Sequence, residues 1–276
     1  MGSPATAGGN ERLAGPVVEI RSASKTFPNG TRALAPIDLT VVEGEFLTLI
    51  GPSGCGKSTL LKLIANLIGP SDGDILWWSG PFDRVGVTGR SLAFVFQDPT
   101  LMPWARVEAN VRLPLDLAGL ARAASGPRVD EALARVGLQG FGRHYPRQLS
   151  GGMKMRVSIA RSLVTDPNLL LMDEPFGALD EFTRNRLDVD LVQLWWARKL
   201  TTVFVTHSIY EAVFLSTRVV VMGARPGRVF KALTIDEPHP REAGFRNSPR
   251  FAEYCHALSA ALTEVSLAQP QRPEGD

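Results

Sequence analysis

The sequence predicts an α/β fold: a mainly parallel sheet, covered by helices on both faces, built around a phosphate-binding loop. Three observations predict it. A buried-type apolar stretch at 46–50 runs into the glycine-rich Gly51-Pro52-Ser53-Gly54-Cys55-Gly56-Lys57-Ser58, which opens a helix over 57–67. Strand, loop, helix is the context that a phosphate-cradling loop requires. Two further continuous apolar strands stand at 169–172 and 202–205. Helical patterns separate them, which is the signature of parallel strands buried on both sides.

The elements follow in order. Residues 1–16 are small, Gly/Ala-rich and polar, and read as a flexible tail without the apolar core of a secretory signal. Residues 17–27 and 37–42 read as short strands, with Pro28-Asn29-Gly30 as the turn between them and Glu43-Gly44 as the next turn. After the loop and its helix, a strand at 92–96 leads into a change of texture. From about 98 to 163 the chain is rich in Ala, Leu and Arg at helical spacing, broken by Pro103, Pro114, Gly126-Pro127 and Pro146. This reads as an inserted helical subdomain. The main domain extends over 17–230, and an extension over 231–268 carries a helix that starts at Ser248-Pro249. Phe251, Tyr254, Leu258, Leu262 and Val265 fall on one face of it, a stripe suited to docking on the chain's own core or, less readily, on a partner. Residues 269–276 read as a second flexible tail. No internal repeat is visible, so each chain carries one such unit.

Composition bounds the function. At 276 residues the chain can bury a substantial core. Hydrophobic residues make up 44%, and no apolar run approaches the roughly 20 residues needed to span a bilayer. A net charge of only +2 gives no bulk field for nucleic acid, so no nucleic-acid partner is expected. Two cysteines, Cys55 and Cys255, make neither a disulfide framework nor a metal site and suit a reducing compartment. Cys55 fits an oxidation-sensitive thiol or, more simply, a small-residue slot in the loop.

The chemistry lies in two places. In the loop, backbone N–H groups and the following helix N-terminus make an anion site. Gly51, Gly54 and Gly56 allow tight turns and close approach to phosphate oxygens. Lys57 is expected to reach the β- and γ-phosphates, Ser58 to ligate Mg²⁺, and Thr59 to add a hydroxyl to the cradle. At the tip of the 169–172 strand stand Asp173 and Glu174, where ligands gather in open α/β sheets. Asp173 is placed for the Mg²⁺ shell and Glu174 for orienting and deprotonating water.

The order of motifs resembles the ATPase subunit of an ATP-binding-cassette (ABC) importer, over most of the chain. Gln97 matches the family's Q-loop glutamine, which contacts Mg²⁺ and senses the membrane subunit. Leu149-Ser150-Gly151-Gly152-Met153 matches the signature, Ala178-Leu179-Asp180 the D-loop and His207 the switch histidine. Phe27 lies where the family places an aromatic that stacks on adenine, though a strand-end aromatic is also common core material. The resemblance implies that Ser150, Gly151, Gly152 and Asp180 serve ATP held by a second copy, since Ser150 can cap a helix starting near Met153. Arg156 and Arg161 match basic positions of that helix, and a solvated basic face accounts for them equally well.

The chain departs from the commonest pattern at three positions. Met153 replaces glutamine, as in sulfonate- and nitrate-type importers; Ser208 follows His207 where aspartate is usual; Phe27 replaces tyrosine, keeping the stacking face. Leu101-Met102-Pro103-Trp104 resembles the segment that helps form the groove for a membrane subunit's short helix, with subdomain core as the alternative. Phe204 to His207, Glu211-Ala212-Val213 and Ala224-Arg225-Pro226-Gly227-Arg228 are similar to the nitrate/sulfonate/taurine branch, which also takes pyrimidines. The family fold adds an N-terminal antiparallel β subdomain to the parallel sheet. What the resemblance implies is an ATPase using ATP and Mg²⁺. It would be a homodimer, peripheral at the cytoplasmic face of the inner membrane, with two transmembrane permease subunits and, indirectly, a solute-binding protein. A non-transport ABC ATPase acting on nucleic acid or ribosomes is the alternative; such proteins usually carry coiled-coil insertions or two cassettes, and this sequence has neither.

Overall fold

A computed structural model describes residues 15–82, 90–177 and 179–268 of the chain. The tails expected at 1–16 and 269–276 lie outside these residues, apart from Gly15 and Pro16, as does Ala178. The first two strands are β1 (Pro16–Thr26) and β2 (Arg32–Val42), antiparallel and joined at the expected turn. There Gly30, at a positive φ of 81°, donates its N–H to the Phe27 carbonyl at 2.9 Å. A third strand, β4 (Asp72–Trp77), which the sequence reading leaves unassigned, completes this sheet in the order β2-β1-β4.

The larger sheet holds six strands. Beside β3 (Phe46–Ile50) lie β5 (Leu92–Val95), β6 (Leu169–Asp173), β7 (Thr201–Val205), β8 (Arg218–Gly223) and β9 (Arg228–Thr234), in the order β5-β6-β7-β3-β8-β9. All pairs are parallel except β8 with β9. Every residue of β3, β6 and β7 is buried. That is why these strands read as unbroken apolar runs rather than alternating ones. Alternation within them divides the core. Leu47, Leu49 and Val205 pack with α1 (Lys57–Ile64) and the antiparallel sheet. Phe46, Met172 and Phe204 face the opposite core with the remaining helices.

Between β5 and β6 the chain forms α2 (Val107–Leu117), α3 (Arg122–Arg135) and α4 (Gly151–Leu163). Two expected breaks are absent: Pro114 lies inside α2 and Pro127 inside α3. An internal proline forfeits one helical hydrogen bond. Burial of Val107, Val111 and Leu115 from α2, and of Val129 and Leu133 from α3, offsets that loss. The first helix ends at Ile64, three residues early, where Asn66 turns into a positive φ of 53° and the Trp77 indole N–H binds the Ile64 carbonyl at 2.8 Å.

Two longer helices and a short one finish the fold: α5 (Glu181–Arg198), α6 (Ile209–Leu215) and α7 (Pro249–Leu267). Ser248 caps α7, its hydroxyl accepting from the Phe251 N–H at 3.1 Å. The predicted stripe docks on the chain's own core: Phe251, Leu258 and Val265 are buried, and Tyr254 and Leu262 pack against them.

Candidate nucleotide site

Parallel topology alone gathers the predicted residues. Strands β5, β6, β7 and β3 are neighbours running the same way, so their C-terminal ends lie along one sheet edge. Gln97 follows β5, Asp173 and Glu174 close β6, His207 follows β7, and the loop of 51–56 follows β3.

The loop ends at Gly56, which starts α1 at a φ of 91° with no side-chain cap. A Cβ there would meet Leu34 Cδ2 at 2.5 Å and the Ala33 carbonyl at 3.1 Å, so glycine is required by packing as well as by φ. The uncapped first-turn N–H groups of α1 are available to an anion. Lys57 is buried, and its ammonium donates to the Gly51 carbonyl at 2.8 Å and the Pro52 carbonyl at 3.2 Å. Cys55 is fully buried, and that burial pushes its thiol up from the ordinary value, with the Lys57 charge opposing. A protonated, inaccessible thiol is unreactive, which favours the small-residue slot over oxidation sensitivity.

A cleft of about 420 Å³ opens over this loop, with Lys57, Ser58, Thr59 and Glu174 on its walls. The Ser58 hydroxyl donates to Asp173 Oδ1 at 2.9 Å. Burial raises the Asp173 carboxyl, and the Ser58 hydrogen bond opposes the rise. A hydroxyl and a carboxylate already in contact beside an anion cradle are the hard oxygen donors Mg²⁺ takes, with phosphate and water oxygens filling the rest. Gln97 is exposed beyond β5 and is not on the cleft wall. Phe27, half-buried just after β1, is likewise off that wall, with the Lys25 ammonium 5.8 Å from its ring centre.

Glu174 adopts a φ of 45°, held by its N–H to the Val205 carbonyl at 3.0 Å. Its Oε2 lies 3.4 Å from His207 Nδ1. The turn carrying His207 is itself braced. The Thr206 hydroxyl donates to the Glu211 carboxylate and accepts from the Ser208 N–H at 3.0 Å. Ser208 takes the place of the usual aspartate and caps α6, accepting from the Glu211 N–H at 3.3 Å. Burial raises the Glu211 carboxyl above its ordinary range.

Four charged residues behind this turn escaped the sequence reading. Arg184 lies 3.5 Å from Glu211 and donates to the Leu179 carbonyl at 2.9 Å. Arg246, from a 3₁₀ turn at Ala243–Asn247, pairs with the fully buried Asp188 of α5 and sits 4.0 Å over the Phe214 ring. Arg241 donates to the Val213 and Phe214 carbonyls at 2.6 and 3.0 Å, tying down the end of α6. Apart from Leu179, five residues before Arg184, the partners lie tens of residues apart, so no local pattern announces them.

The signature residues sit elsewhere. None of Ser150, Gly151 and Gly152 lines the Lys57 cleft. Ser150 caps α4, accepting from the Met153 N–H at 3.3 Å; the helix starts at Gly151, two residues earlier than expected, and takes both glycines into its first turn. A Cβ on Gly152 would lie 3.0 Å from Thr183 Cγ2, so this turn packs against the first turn of α5. Asp180 caps α5, and the Thr183 N–H it accepts at 2.9 Å holds its carboxyl below the ordinary range. In the same turn of α5 the Phe182 ring is 91% exposed.

Neither Arg156 nor Arg161 of α4 is part of a solvated face. Arg161 donates to the Pro99 and Thr100 carbonyls and the Thr100 hydroxyl, each at 2.9 Å, and Arg156 reaches the Val136 carbonyl at 3.3 Å. In the 101–104 segment, buried Asn110 binds the Met102 N–H at 2.7 Å and the Met102 carbonyl at 3.2 Å. That leaves Trp104 77% exposed, so this ring is surface rather than core. No helix among the described residues is long and apolar enough to cross a membrane.

Comparison with known proteins agrees with this geometry. The ABC transporter family model matches residues 34–177. The chain is 47% identical over 253 residues to an uncharacterized ABC transporter ATP-binding protein of Methanocaldococcus jannaschii, covering 91% of this chain and 92% of that one. It is 44% identical over 244 residues to the aliphatic sulfonates import ATP-binding protein SsuB of Bacillus licheniformis, covering 85% and 89%. Among solved structures it resembles the dimeric, post-hydrolysis ATP-binding cassette MJ0796 bound to ADP and phosphate. That match has a TM-score of 0.70 and 31% identity, over 80% of this chain and all of that one. It also resembles cbiO1 from Clostridium perfringens, part of an ABC transporter complex, with a TM-score of 0.73, 29% identity and coverage of 89% and 99%. The chain belongs to the ABC transporter family and is one of its ATP-hydrolysing cassettes.

Proposed function

We propose that this chain energises uptake of a small solute by an ABC importer of the sulfonate type, working as a homodimer against two transmembrane permease subunits. It would sit peripherally on the cytoplasmic face of the membrane, and a solute-binding protein would deliver cargo outside. Similarity to SsuB proteins of several Bacillus strains, at 42 to 44% identity, supports the import reading and the sulfonate branch. The exposed Trp104, seven residues after the exposed Gln97, supports a contact with a permease.

The phosphates of ATP lie on the 51–59 loop and the N–H groups of α1, and Lys57 exchanges its loop carbonyls for their oxygens. Ser58 and Asp173 would hold Mg²⁺, with Gln97, off the cleft wall here, reaching in to join them, and the ion would supply positive charge against the phosphate oxygens. Phe27 stacks on the adenine. Glu174 takes a proton from the attacking water as the water oxygen bonds the γ-phosphorus and ADP leaves. His207 keeps the Glu174 carboxylate oriented. The Ser150 hydroxyl and the Gly151 and Gly152 amides of a second copy close over the γ-phosphate, and Asp180 lies at the same seam.

One observation carries the dimer: the signature is a capped, positively polarised helix start that does not line its own chain's cleft. Measuring turnover per chain across dilution tests it. Activity is expected to fall as the dimer separates, and Ser150→Arg to abolish turnover while dilute single chains still bind ATP. Turnover indifferent to both dilution and Ser150→Arg would refute composite catalysis.

A further inference from the structure

The turn between β8 and β9, Ala224-Arg225-Pro226-Gly227, has no part in the chemistry above, yet it is built onto the nucleotide cleft. Gly227 donates its N–H to the Ala33 carbonyl at 2.9 Å, and its own carbonyl accepts from the Ala35 N–H at 2.8 Å. A Cβ on Gly227 would fall 2.3 Å from the Cys55 carbonyl, so the turn rests directly on the back of the phosphate loop. This anchoring puts Arg225 on the cleft wall, together with Arg32 from the start of β2.

Arg225 holds a φ of 58°. The left-handed region is unfavourable for a long L side chain, and residues before proline prefer extended backbone. Conformations of this kind persist where the surroundings enforce them and often mark working positions. Among the described residues, neither the Arg225 nor the Arg32 guanidinium has a carboxylate within ion-pair distance. The cleft wall therefore carries three cations, Arg32, Lys57 and Arg225, against one carboxylate, Glu174. Such a wall attracts a polyanion, and a guanidinium presents a donor fork that fits phosphate oxygens in pairs.

We propose that Arg225, with Arg32 beside it, binds the polyphosphate chain of the nucleotide, adding a side-chain clamp from the β8–β9 turn to the backbone cradle of the loop. The inference rests on reading this cleft as the ATP site. The clamp acts on phosphate, not on the base or ribose.

Calorimetric titration of the full chain with ATP and with inorganic tripolyphosphate tests it. Arg225→Gln is expected to weaken both ligands by about tenfold or more, the scale of one charge-assisted contact, with an unchanged melting temperature in the absence of ligand. Arg225→Lys, which keeps the charge but loses the fork, is expected to recover part of that loss. Unchanged affinity for both ligands in Arg225→Gln overturns the proposal. So does a loss confined to ATP, because the contact would then lie on ribose or base. If Arg225→Gln lowers the melting temperature, Arg32→Gln and Arg225→Lys carry the test, and wild-type affinity in both overturns it. A wild-type chain binding neither ligand would remove the nucleotide reading itself, and this inference with it.

Discussion

Replacing Arg246 with alanine tests whether the C-terminal extension braces the catalytic edge. Arg246 is the cation paired with Asp188, whose side chain has no exposed surface, and it covers the Phe214 ring. Stranding an ionised carboxylate there would cost about 3–5 kcal/mol. Burial, with Glu211 nearby, already pushes the Asp188 carboxyl up to about 8 against the pull of Arg246. At pH 7 the variant's Asp188 therefore takes a proton instead of standing as a bare charge. What is lost is a charge-assisted hydrogen bond, about 1.5–3 kcal/mol, and a ring contact of about 0.5–2 kcal/mol. The sum is about 2–5 kcal/mol, and at ~2–4 °C per kcal/mol for a chain of this size the melting temperature falls by roughly 10 °C. The sign with pH follows. A carboxyl raised in the folded state holds a proton the unfolded chain releases, so its contribution is full at low pH and is lost as pH rises through about 8. Above that pH the native carboxyl is ionised and depends on Arg246, so the penalty of Arg246→Ala grows as pH rises through 8. Scanning calorimetry of both chains at pH 6, 7 and 9 measures this. A shift under about 2 °C at pH 7, or a larger penalty at pH 6 than at pH 9, would refute the reasoning.

Glu174→Gln keeps the shape of the side chain but cannot accept the proton of water, so turnover should fall by roughly two or more orders of magnitude while ATP still binds. The variant should elute as a dimer with ATP in size-exclusion chromatography; wild-type turnover would remove Glu174 from its role. Gly56→Ala forces a Cβ into Leu34 and the Ala33 carbonyl at a φ of 91°, at a cost of about 2–4 kcal/mol. Its melting temperature should drop by several degrees and ATP affinity should fall with it, and an unchanged melting curve would contradict the packing argument.

What the sequence disclosed, it disclosed through local physics. The 46–50 strand, the glycine loop and the 169–173 strand announce themselves because a strand buried on both faces must be continuously apolar and a phosphate cradle must be glycine-rich. Ser150 and Ser248 cap helices, and capping reaches only three residues ahead. Strand β4 stayed hidden because its six residues alternate weakly behind a turn, and its partner β1 lies some 50 positions earlier in the chain. Prolines 114 and 127 misled for a related reason: local rules say break, while the tertiary burial of α2 and α3 decides otherwise. Arg184, Asp188 and Arg246 were illegible because their pairing is a property of the packed core, not of spacing.

Those illegible contacts join the signature to the sheet edge that carries Glu174 and His207. Helix α4 carries the signature at its start and, through Arg161, grips Pro99 and Thr100 just beyond Gln97. Its first turn meets Thr183, so it also bears on α5. From α5, Arg184 holds the Leu179 carbonyl beside Asp180 on one side and faces Glu211 on the other. Glu211 fixes Thr206 and so the turn that sets His207 against Glu174. Each link is a hydrogen bond, an ion pair or a packed contact, and the chain of them is continuous from the outward-facing signature to the base. Under the proposed dimer, a displacement of the signature would meet contacts that lead toward both Gln97 and His207. The C-terminal extension holds the far side of these contacts: Arg241 binds the Val213 and Phe214 carbonyls of α6, and Arg246 pairs with Asp188 of α5 and covers Phe214. If the proposed partner closes on the signature, bracing behind His207 would pass that displacement to His207 and Glu174 rather than letting the core absorb it.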